Sequence, residues 1–440
     1  MKGEEKPKTV GVVGLGYVGL PLLLAFREAG GRVIGVDVDG EKIRMLRDRV
    51  SYLSHIPDER LGVLGAGNTR LEEDFSILGE ADAVVIAVPT PLKGLVDGSR
   101  PGEPDLSYVE TTAEEVAPHL RRGMLVSLES TTYPGTTREV VAPRLEAGSG
   151  LEAGTDFFLA YSPERVDPGS DRDISAIPKI VAGLDEASLE AATRLYGTIT
   201  PQVVPVSSLE AAEMAKLLEN IYRAVNIAMV NELKLLAHRM DVDIWEVVEA
   251  AATKPFGFQP FYPGPGLGGH CLPIDPFYLA WRARERFGFR TRFIELAGRV
   301  NAGMPGYVLE RTREALGEEG IRIEEARVLL LGVAYKRDVG DTRESPGLRL
   351  MYLFEEAGAQ VGYHDPYVPR LPETRDYPGF AGRTSVGLDP ETLGSADAVI
   401  IATDHTGVDY ARIGRESSLV VDTRNAMSRA PEGRARVVRA

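Results

Sequence analysis

Thr9-Val10-Gly11-Val12-Val13-Gly14-Leu15-Gly16-Tyr17-Val18-Gly19 is the stretch from which the fold is read. Five residues with three valines read as a strand, and Gly14-x-Gly16-x-x-Gly19 follows at once. A helical pattern then runs through residues 20–29, and a second strand over residues 32–36 ends at Asp37. Asp37 lies 21 residues beyond Gly16, where a ribose-binding carboxylate belongs in a dinucleotide-binding βαβ unit. Glycines at these places permit a tight turn and let a pyrophosphate approach the helix N-terminus, where N–H groups and the dipole favour anions. A carboxylate at residue 37 suits the ribose hydroxyls of NAD and repels the 2′-phosphate of NADP.

Outward from this unit, the chain alternates strand and helix. Strands over residues 83–88, 125–129 and 157–161 each run into a polar or Pro-containing loop: Pro89-Thr90-Pro91, Ser130-Thr131-Thr132-Tyr133-Pro134-Gly135 and Ser162-Pro163-Glu164-Arg165. Ligands of open parallel sheets sit beyond the carboxyl ends of strands, so these loops should converge on a reacting centre, with Thr131 and Glu164 as the best-placed polar groups. Residues 208–240 hold helical periodicity without Pro or Gly, predicting a rod of about 50 Å at 1.5 Å per residue. Ser207 or Ser208 caps it, and Lys216 and Asn220, four apart, share one of its faces. Such a helix connects domains or forms a subunit interface. Shorter helices are expected over residues 244–252, 277–286 and 293–300.

The C-terminal third repeats the first pattern incompletely. Ala396-Asp397-Ala398-Val399-Ile400-Ile401-Ala402 nearly duplicates Ala81-Asp82-Ala83-Val84-Val85-Ile86-Ala87. The strand over residues 327–332 leads into Val333-Ala334-Tyr335-Lys336-Arg337-Asp338, with no G-x-G-x-x-G. Lys336, Arg337, Arg343 and Arg424 at strand ends suit phosphate groups. The fold class is therefore α/β, with two Rossmann-like doubly wound domains joined by a helical middle that contains one long central helix. The expected boundaries are 1–205 for the NAD-binding domain, 206–305 for the helical middle and 306–440 for the second Rossmann-like domain.

The one cysteine of the 440 residues, Cys271, sits in Pro263-Gly264-Pro265-Gly266-Leu267-Gly268-Gly269-His270-Cys271-Leu272-Pro273-Ile274-Asp275-Pro276. Glycines bring backbone close to a ligand, prolines stiffen the frame, and a lone thiol there is a candidate nucleophile. An alcohol oxidised at a dinucleotide site gives an aldehyde, which a thiol traps as a thiohemiacetal. A second hydride loss gives a thioester, and water releases an acid. Lys216 and Asn220 can stabilise the oxyanions, while Asp275 and Glu164 can move protons or place water.

Composition narrows the remainder. A net charge of −15 argues against a general nucleic-acid binder, and a single cysteine fits a reducing, cytoplasmic setting. The charged N-terminal eight residues do not read as a signal peptide, and no apolar run is long enough for a membrane span. No metal site is expected.

Across essentially its whole length the chain resembles the UDP-glucose/GDP-mannose dehydrogenase family. The matching motifs are the Gly14–Gly16–Gly19 turn, Ser130-Thr131, Ser162-Pro163-Glu164, Glu213-Met214-x-Lys216-x-x-x-Asn220, Gly268-Gly269-His270-Cys271-x-Pro273-x-Asp275 and Asp341-Thr342-Arg343-Glu344-Ser345. The resemblance implies four-electron oxidation of a nucleotide-sugar C6 alcohol to the uronate with two NAD, through Cys271. It implies Lys216, Asn220, Asp275, Glu164 and Thr131 as the groups around that cysteine. On the cofactor side it implies Gly14, Gly16, Tyr17, Val18, Gly19, Asp37, Lys42, Pro89, Thr90, Thr131 and Arg343. On the UDP-sugar side it implies Glu164, Lys216, Asn220, Tyr262, Gly266, Gly268, Lys336 and Arg424. It further implies a homodimer or higher oligomer through the long helix.

UDP-glucose enzymes of the family carry Phe-Leu-x-Glu-Gly after the Pro-Glu pair, whereas this chain has Arg165-Val166-Asp167-Pro168-Gly169. With His270 before the cysteine, that departure resembles the branch acting on N-acetylated hexosamines. Residues 254–278 most resemble UDP-N-acetylglucosamine 6-dehydrogenases. UDP-N-acetylmannosamine is the close alternative and UDP-glucose a further one. The rivals are a single-step hydroxyacid dehydrogenase and a non-catalytic NAD-sensing protein; neither has a use for the thiol.

Overall fold

A computed structural model describes residues 9–53, 55–65, 67–93, 102–165, 176–431 and 433–440. The N-terminal eight residues and the Val166-Asp167-Pro168-Gly169 departure lie outside the described residues. The chain divides into two compact units, one ending at Glu219 and the other beginning at Asn220.

In the first unit, β1 (Thr9–Val13), α1 (Gly19–Glu28), β2 (Arg32–Val36), α2 (Gly40–Arg47), β3 (Thr69–Glu72) and β4 (Ala83–Ile86) build the dinucleotide half. A short antiparallel pair follows, β5 (Leu92–Lys93) with β6 (Glu103–Pro104). Then come α3 (Ser107–Val116), β7 (Leu125–Leu128), α4 (Ala142–Ser149), β8 (Phe158–Tyr161), β9 (Lys179–Gly183), α5 (Glu186–Tyr196) and β10 (Val203–Pro205). The sheet runs β10-β9-β8-β7-β4-β1-β2-β3, parallel throughout except where β8 meets β9. Both faces are covered: Val10 and Val12 pack on one side with Ala83 and Val85, while Val13, Val84 and Ile86 pack on the other. That is why these strands read as continuous apolar runs rather than alternating ones.

The helix α6 (Leu209–Arg239) leaves this unit, capped by Ser208, whose Oγ accepts from Ala211 N at 3.1 Å. After the division come α7 (Ile244–Ala252), α8 (Asp275–Phe287), α9 (Arg292–Glu318), β11 (Arg327–Leu331), α10 (Pro346–Glu356), β12 (Gln360–His364), α11 (Pro390–Ser395), β13 (Ala398–Ile401), α12 (Tyr410–Glu416), β14 (Leu419–Asp422) and β15 (Arg436–Arg439). The second sheet is all parallel, in the order β12-β11-β13-β14-β15. Its central strands again split alternate side chains between two faces, Val328 and Leu330 against Leu329 and Leu331.

The helix expected over residues 293–300 extends to Glu318, passing Gly298, Gly303 and Pro305. Proline lacks the N–H that would bond Asn301 O, four residues back. That carbonyl instead faces the glycine loop, 3.5 Å from where a Cβ on Gly266 would stand.

The internal repeat has a physical counterpart. Asp82 accepts from Thr9 N at 3.0 Å while its own N–H donates to Thr9 O at 2.9 Å. Asp397 does the same to Arg327, at 2.8 Å in both directions. Each aspartate thus locks the start of the first strand of its half of the chain, β1 or β11.

Candidate active site

The dinucleotide turn shows which glycine serves the fold and which a ligand. Gly14 has φ +87°, and a Cβ there would stand 2.6 Å from Ala87 O. A Cβ on Gly19 would stand 1.8 Å from Gly14 O, so α1 can begin at that place only with glycine. Gly16, between them, has nothing within 4 Å of its would-be Cβ. The turn is closed where it folds and open where a pyrophosphate must approach. No side chain caps α1 at Val18, which leaves its N-terminal end to an anion.

Asp37 Oδ2 accepts from Leu15 N at 2.8 Å and lies 3.3 Å from Lys42 Nζ, so the acid and the glycine turn hold each other. Tyr52 donates to Leu15 O, and Tyr17 stacks on His55 with centroids 5.5 Å apart. An open glycine cradle, an uncapped helix end and a carboxylate at the tip of the second strand fit NAD.

The three loops expected to converge do meet. Ser130 Oγ accepts from Val88 N at 3.0 Å and donates to Val88 O at 2.8 Å, which ties the Pro89-Thr90 loop to the Thr131 loop. Thr90 and Thr131 are buried beside them. Glu164 is joined to a residue that the sequence reading missed: Lys179 Nζ lies 3.4 Å from Glu164 Oε2 and 2.7 Å from Glu129 Oε2. The available signal was a charged residue closing one apolar strand, Leu125-Val126-Ser127-Leu128-Glu129, and another opening the next, Lys179-Ile180-Val181-Ala182. Arg165 turns instead to Glu219, at 2.6 Å.

Glu213, one turn before Lys216, accepts from Gly135 N at 2.6 Å, Thr137 N at 2.9 Å and Thr137 Oγ1 at 2.7 Å. Burial pushes its carboxyl up to about 7 against those three donors. Glu213 therefore pins the start of α6 to the loop that carries Thr131. Lys216 is itself buried, not solvated.

In the second unit, Asn220 Nδ2 donates to Asp275 Oδ2 at 2.6 Å, and Asn220 Oδ1 accepts from Arg223 at 2.6 Å. Asp275 opens α8, and its N–H donates to Cys271 O at 2.9 Å, so the thiol-bearing turn and the carboxylate are one rigid feature. Cys271 is half-buried. Asn231, three turns along α6 from Asn220, accepts from Gly264 N at 2.9 Å and donates to Asn301 Oδ1 at 2.9 Å. It fastens the glycine loop to α6 and α9, and it too escaped the sequence reading.

The loop's glycines face the second sheet. A Cβ on Gly268 would lie 2.6 Å from Tyr335 Cβ and 2.9 Å from Glu344 O, and Gly269 N donates to Arg343 O at 2.9 Å. A Cβ on Gly264 would lie 2.6 Å from a guanidinium nitrogen of Arg424. Tyr262 stacks on Trp245 with centroids 5.6 Å apart.

Of the four strand-end cations, Arg424 lies beside this loop at Gly264, and burial pushes its pKa down to about 10; Lys336 follows Tyr335, whose ring and Cβ lie against Gly269 and Gly268. Arg337 pairs with Asp404, and Arg343 with Asp341 at 2.6 Å, so their charge is met locally. Asp365 stands just past β12 as Asp37 stands past β2. Its Oδ2 accepts from Val333 N and Ala334 N at 2.8 and 2.9 Å and meets His405 Nε2 at 3.1 Å. In the second copy the strand-tip acid is fully occupied by protein, consistent with the missing glycine turn. Among the described residues no group of three or more His, Cys, Asp or Glu could hold a metal ion, and no helix is long and apolar enough to cross a membrane.

Three family models match in sequence order: the NAD binding domain over residues 8–200, the central domain over 210–303 and the UDP binding domain over 329–429 of the UDP-glucose/GDP-mannose dehydrogenase family. A UDP-N-acetyl-D-mannosamine dehydrogenase of Pyrococcus horikoshii is 36% identical over 432 residues, covering 96% of this chain and 97% of its own length. A UDP-N-acetyl-D-glucosamine 6-dehydrogenase of Pseudomonas aeruginosa is 34% identical, covering 94% and 93%. Among solved structures, UDP-D-ManNAc dehydrogenase from Pyrococcus horikoshii superposes with a TM-score of 0.85 at 35% identity, and a UDP-glucose dehydrogenase from Pyrobaculum islandicum with 0.83 at 31%, each covering 98% of both chains. The chain belongs to the UDP-glucose/GDP-mannose dehydrogenase family and is an NAD-dependent nucleotide-sugar dehydrogenase.

Proposed function

We propose that the chain oxidises the C6 alcohol of a UDP-N-acetylhexosamine to the uronate in two steps on one cysteine. The balance is one alcohol, two NAD and one water giving one carboxylate, two NADH and three protons. Bound NAD accepts the hydride in each oxidation. Cys271 Sγ adds to the aldehyde carbon, holds it as a thiohemiacetal through the second oxidation, and leaves when water attacks the thioester. Lys216 and Asn220, one turn apart on α6, donate to the oxygen as negative charge gathers on it. Asp275 takes the proton of the attacking water, and Glu164 with Thr131 handles the alcohol proton and water placement. The observation that carries this reading is the 2.6 Å bond from Asn220 to Asp275, with Asp275 N held by Cys271 O.

Lys336, Arg424, Tyr262 and the Gly266–Gly268 backbone take the UDP portion, and Arg343 reaches the cofactor. Functionally the chain divides at 1–205, 206–305 and 306–440. Met214, Leu218, Tyr222, Met229, Leu233 and Leu236 leave an apolar stripe exposed along α6, which supports a homodimer across that helix. The single cysteine supports a reducing, cytoplasmic setting.

The resemblance of residues 254–278 to UDP-N-acetylglucosamine 6-dehydrogenases supports UDP-N-acetylglucosamine as substrate. The second reading is UDP-N-acetylmannosamine, favoured by the 36% identity to a UDP-N-acetyl-D-mannosamine dehydrogenase. Turnover of both sugars and of UDP-glucose, with product masses, decides between them. Uronate from UDP-N-acetylglucosamine at the highest kcat/KM supports the first. Failure of both acetylated sugars alongside turnover of UDP-glucose overturns the hexosamine reading.

A further inference from the structure

We propose that Lys179 is the positioning residue of the Glu164 carboxylate, with Glu129 as its anchor, and that this buried triad sets the pH at which Glu164 can accept a proton. The inference rests on the reading of Glu164 as a proton-handling group.

Glu129 directly follows β7, Lys179 opens β9, and Glu164 stands in the loop after β8, so three neighbouring strand ends supply one group each. Lys179 Nζ is 2.7 Å from Glu129 Oε2 and 3.4 Å from Glu164 Oε2, and all three side chains are nearly excluded from water. Tyr196 of α5 lies beneath the ammonium, 5.3 Å from centroid to Nζ, with its hydroxyl 2.8 Å from Ser127 Oγ on β7. Arg165, next in sequence to Glu164, pairs with Glu219. Lys179 is therefore a cation set against Glu164, and two carboxylates compete for it.

Burial opposes charge on Lys179, yet the two carboxylates outweigh it and leave its pKa raised. Burial also pushes Glu129 up. Glu129 alone would neutralise Lys179; Glu164 adds a second negative charge against the same ammonium, the farther of the two at 3.4 Å. Its readiness to bind a proton thus depends on both partners, in opposite directions.

The test is the pH dependence of kcat/KM, with thermal melts, for wild type, Lys179→Met, Lys179→Arg, Glu129→Gln and Glu164→Gln. Without the lysine charge, two buried carboxylates face each other, and the acid limb should move alkaline by about one pH unit or more. Lys179→Arg should restore it. Glu129→Gln removes a competitor, and the limb should move to lower pH. Lowered melting temperatures with the limb unmoved in Lys179→Met and Glu129→Gln would overturn the inference, and Glu129→Gln alone decides if Lys179→Met does not fold. Glu164→Gln with wild-type rate and pH profile would overturn the reading of Glu164 itself, a result distinct from the first.

Discussion

Asn220 Nδ2 donates to Asp275 Oδ2 at 2.6 Å, joining α6 to the first residue of α8, whose N–H in turn holds Cys271 O. A carboxylate aimed by an amide and tethered to the thiol's own peptide can serve only one place. We expect Asn220→Ala to lower kcat by roughly 10²–10³-fold, the scale of a lost oxyanion or base-positioning donor. Asp275→Asn should slow release of the acid more than oxidation, so a covalent sugar adduct on Cys271 should accumulate and be visible by intact mass. Equal slowing with no adduct would contradict a role in hydrolysis.

Gly16 and Gly19 should respond differently to the same methyl group. A Cβ on Gly19 would collide with Gly14 O at 1.8 Å, so Gly19→Ala should lower stability and abolish NAD binding together. A Cβ on Gly16 meets nothing within 4 Å, so Gly16→Ala should fold with an unchanged melting temperature yet bind NAD at least tenfold more weakly. Melting curves and NAD titration of the two variants check this.

Lys234 is a buried ammonium without a hydrogen-bond partner among the described residues, 5.4 Å from the Tyr307 ring centroid. Burial, aided by Arg424, lowers its pKa from 10.5 to about 7. The folded state thus holds this proton less well than the unfolded chain, and the residue's favourable share of stability is lost as pH falls from about 10.5 toward 7. Lys234→Met should stabilise the protein by roughly 2 kcal/mol at pH 7, with the gain vanishing near pH 10 to 11. Denaturant melts at both ends of that range test the sign.

Glu213 meets three donors of the Gly135–Thr137 turn from the first turns of α6. Glu213→Ala strands two buried backbone N–H groups and should cost about 2–5 kcal/mol. It should also lower activity, because it releases the helix that carries Lys216. Denaturant midpoints and kcat of the variant report the two effects separately.

Much of this architecture was legible because it rests on local rules. The Gly14–Gly19 turn with Asp37, the near-duplicate Ala81–Ala87 and Ala396–Ala402 runs, and the proline-free span of α6 are each signals within a few turns of chain. Lys179, Asn231 and Glu213 act through partners 50, 33 and 76 to 78 residues away, so no local pattern marks their work. The helix expected over residues 293–300 fell short of α9, which runs on through Pro305 to Glu318, with the glycine loop packed against the carbonyl that Pro305 leaves free. The strand-end arginines read alike in sequence, yet Asp404 and Asp341 claim Arg337 and Arg343, partners that no spacing rule singles out.

The central claim, that one cysteine carries two successive oxidations, is tested most directly by counting NADH formed per sugar consumed with limiting UDP-N-acetylhexosamine. Wild type should form two NADH per uronate, and Cys271→Ala should form no uronate. One NADH per sugar with aldehyde as the end product, or full uronate formation by Cys271→Ala, would contradict it.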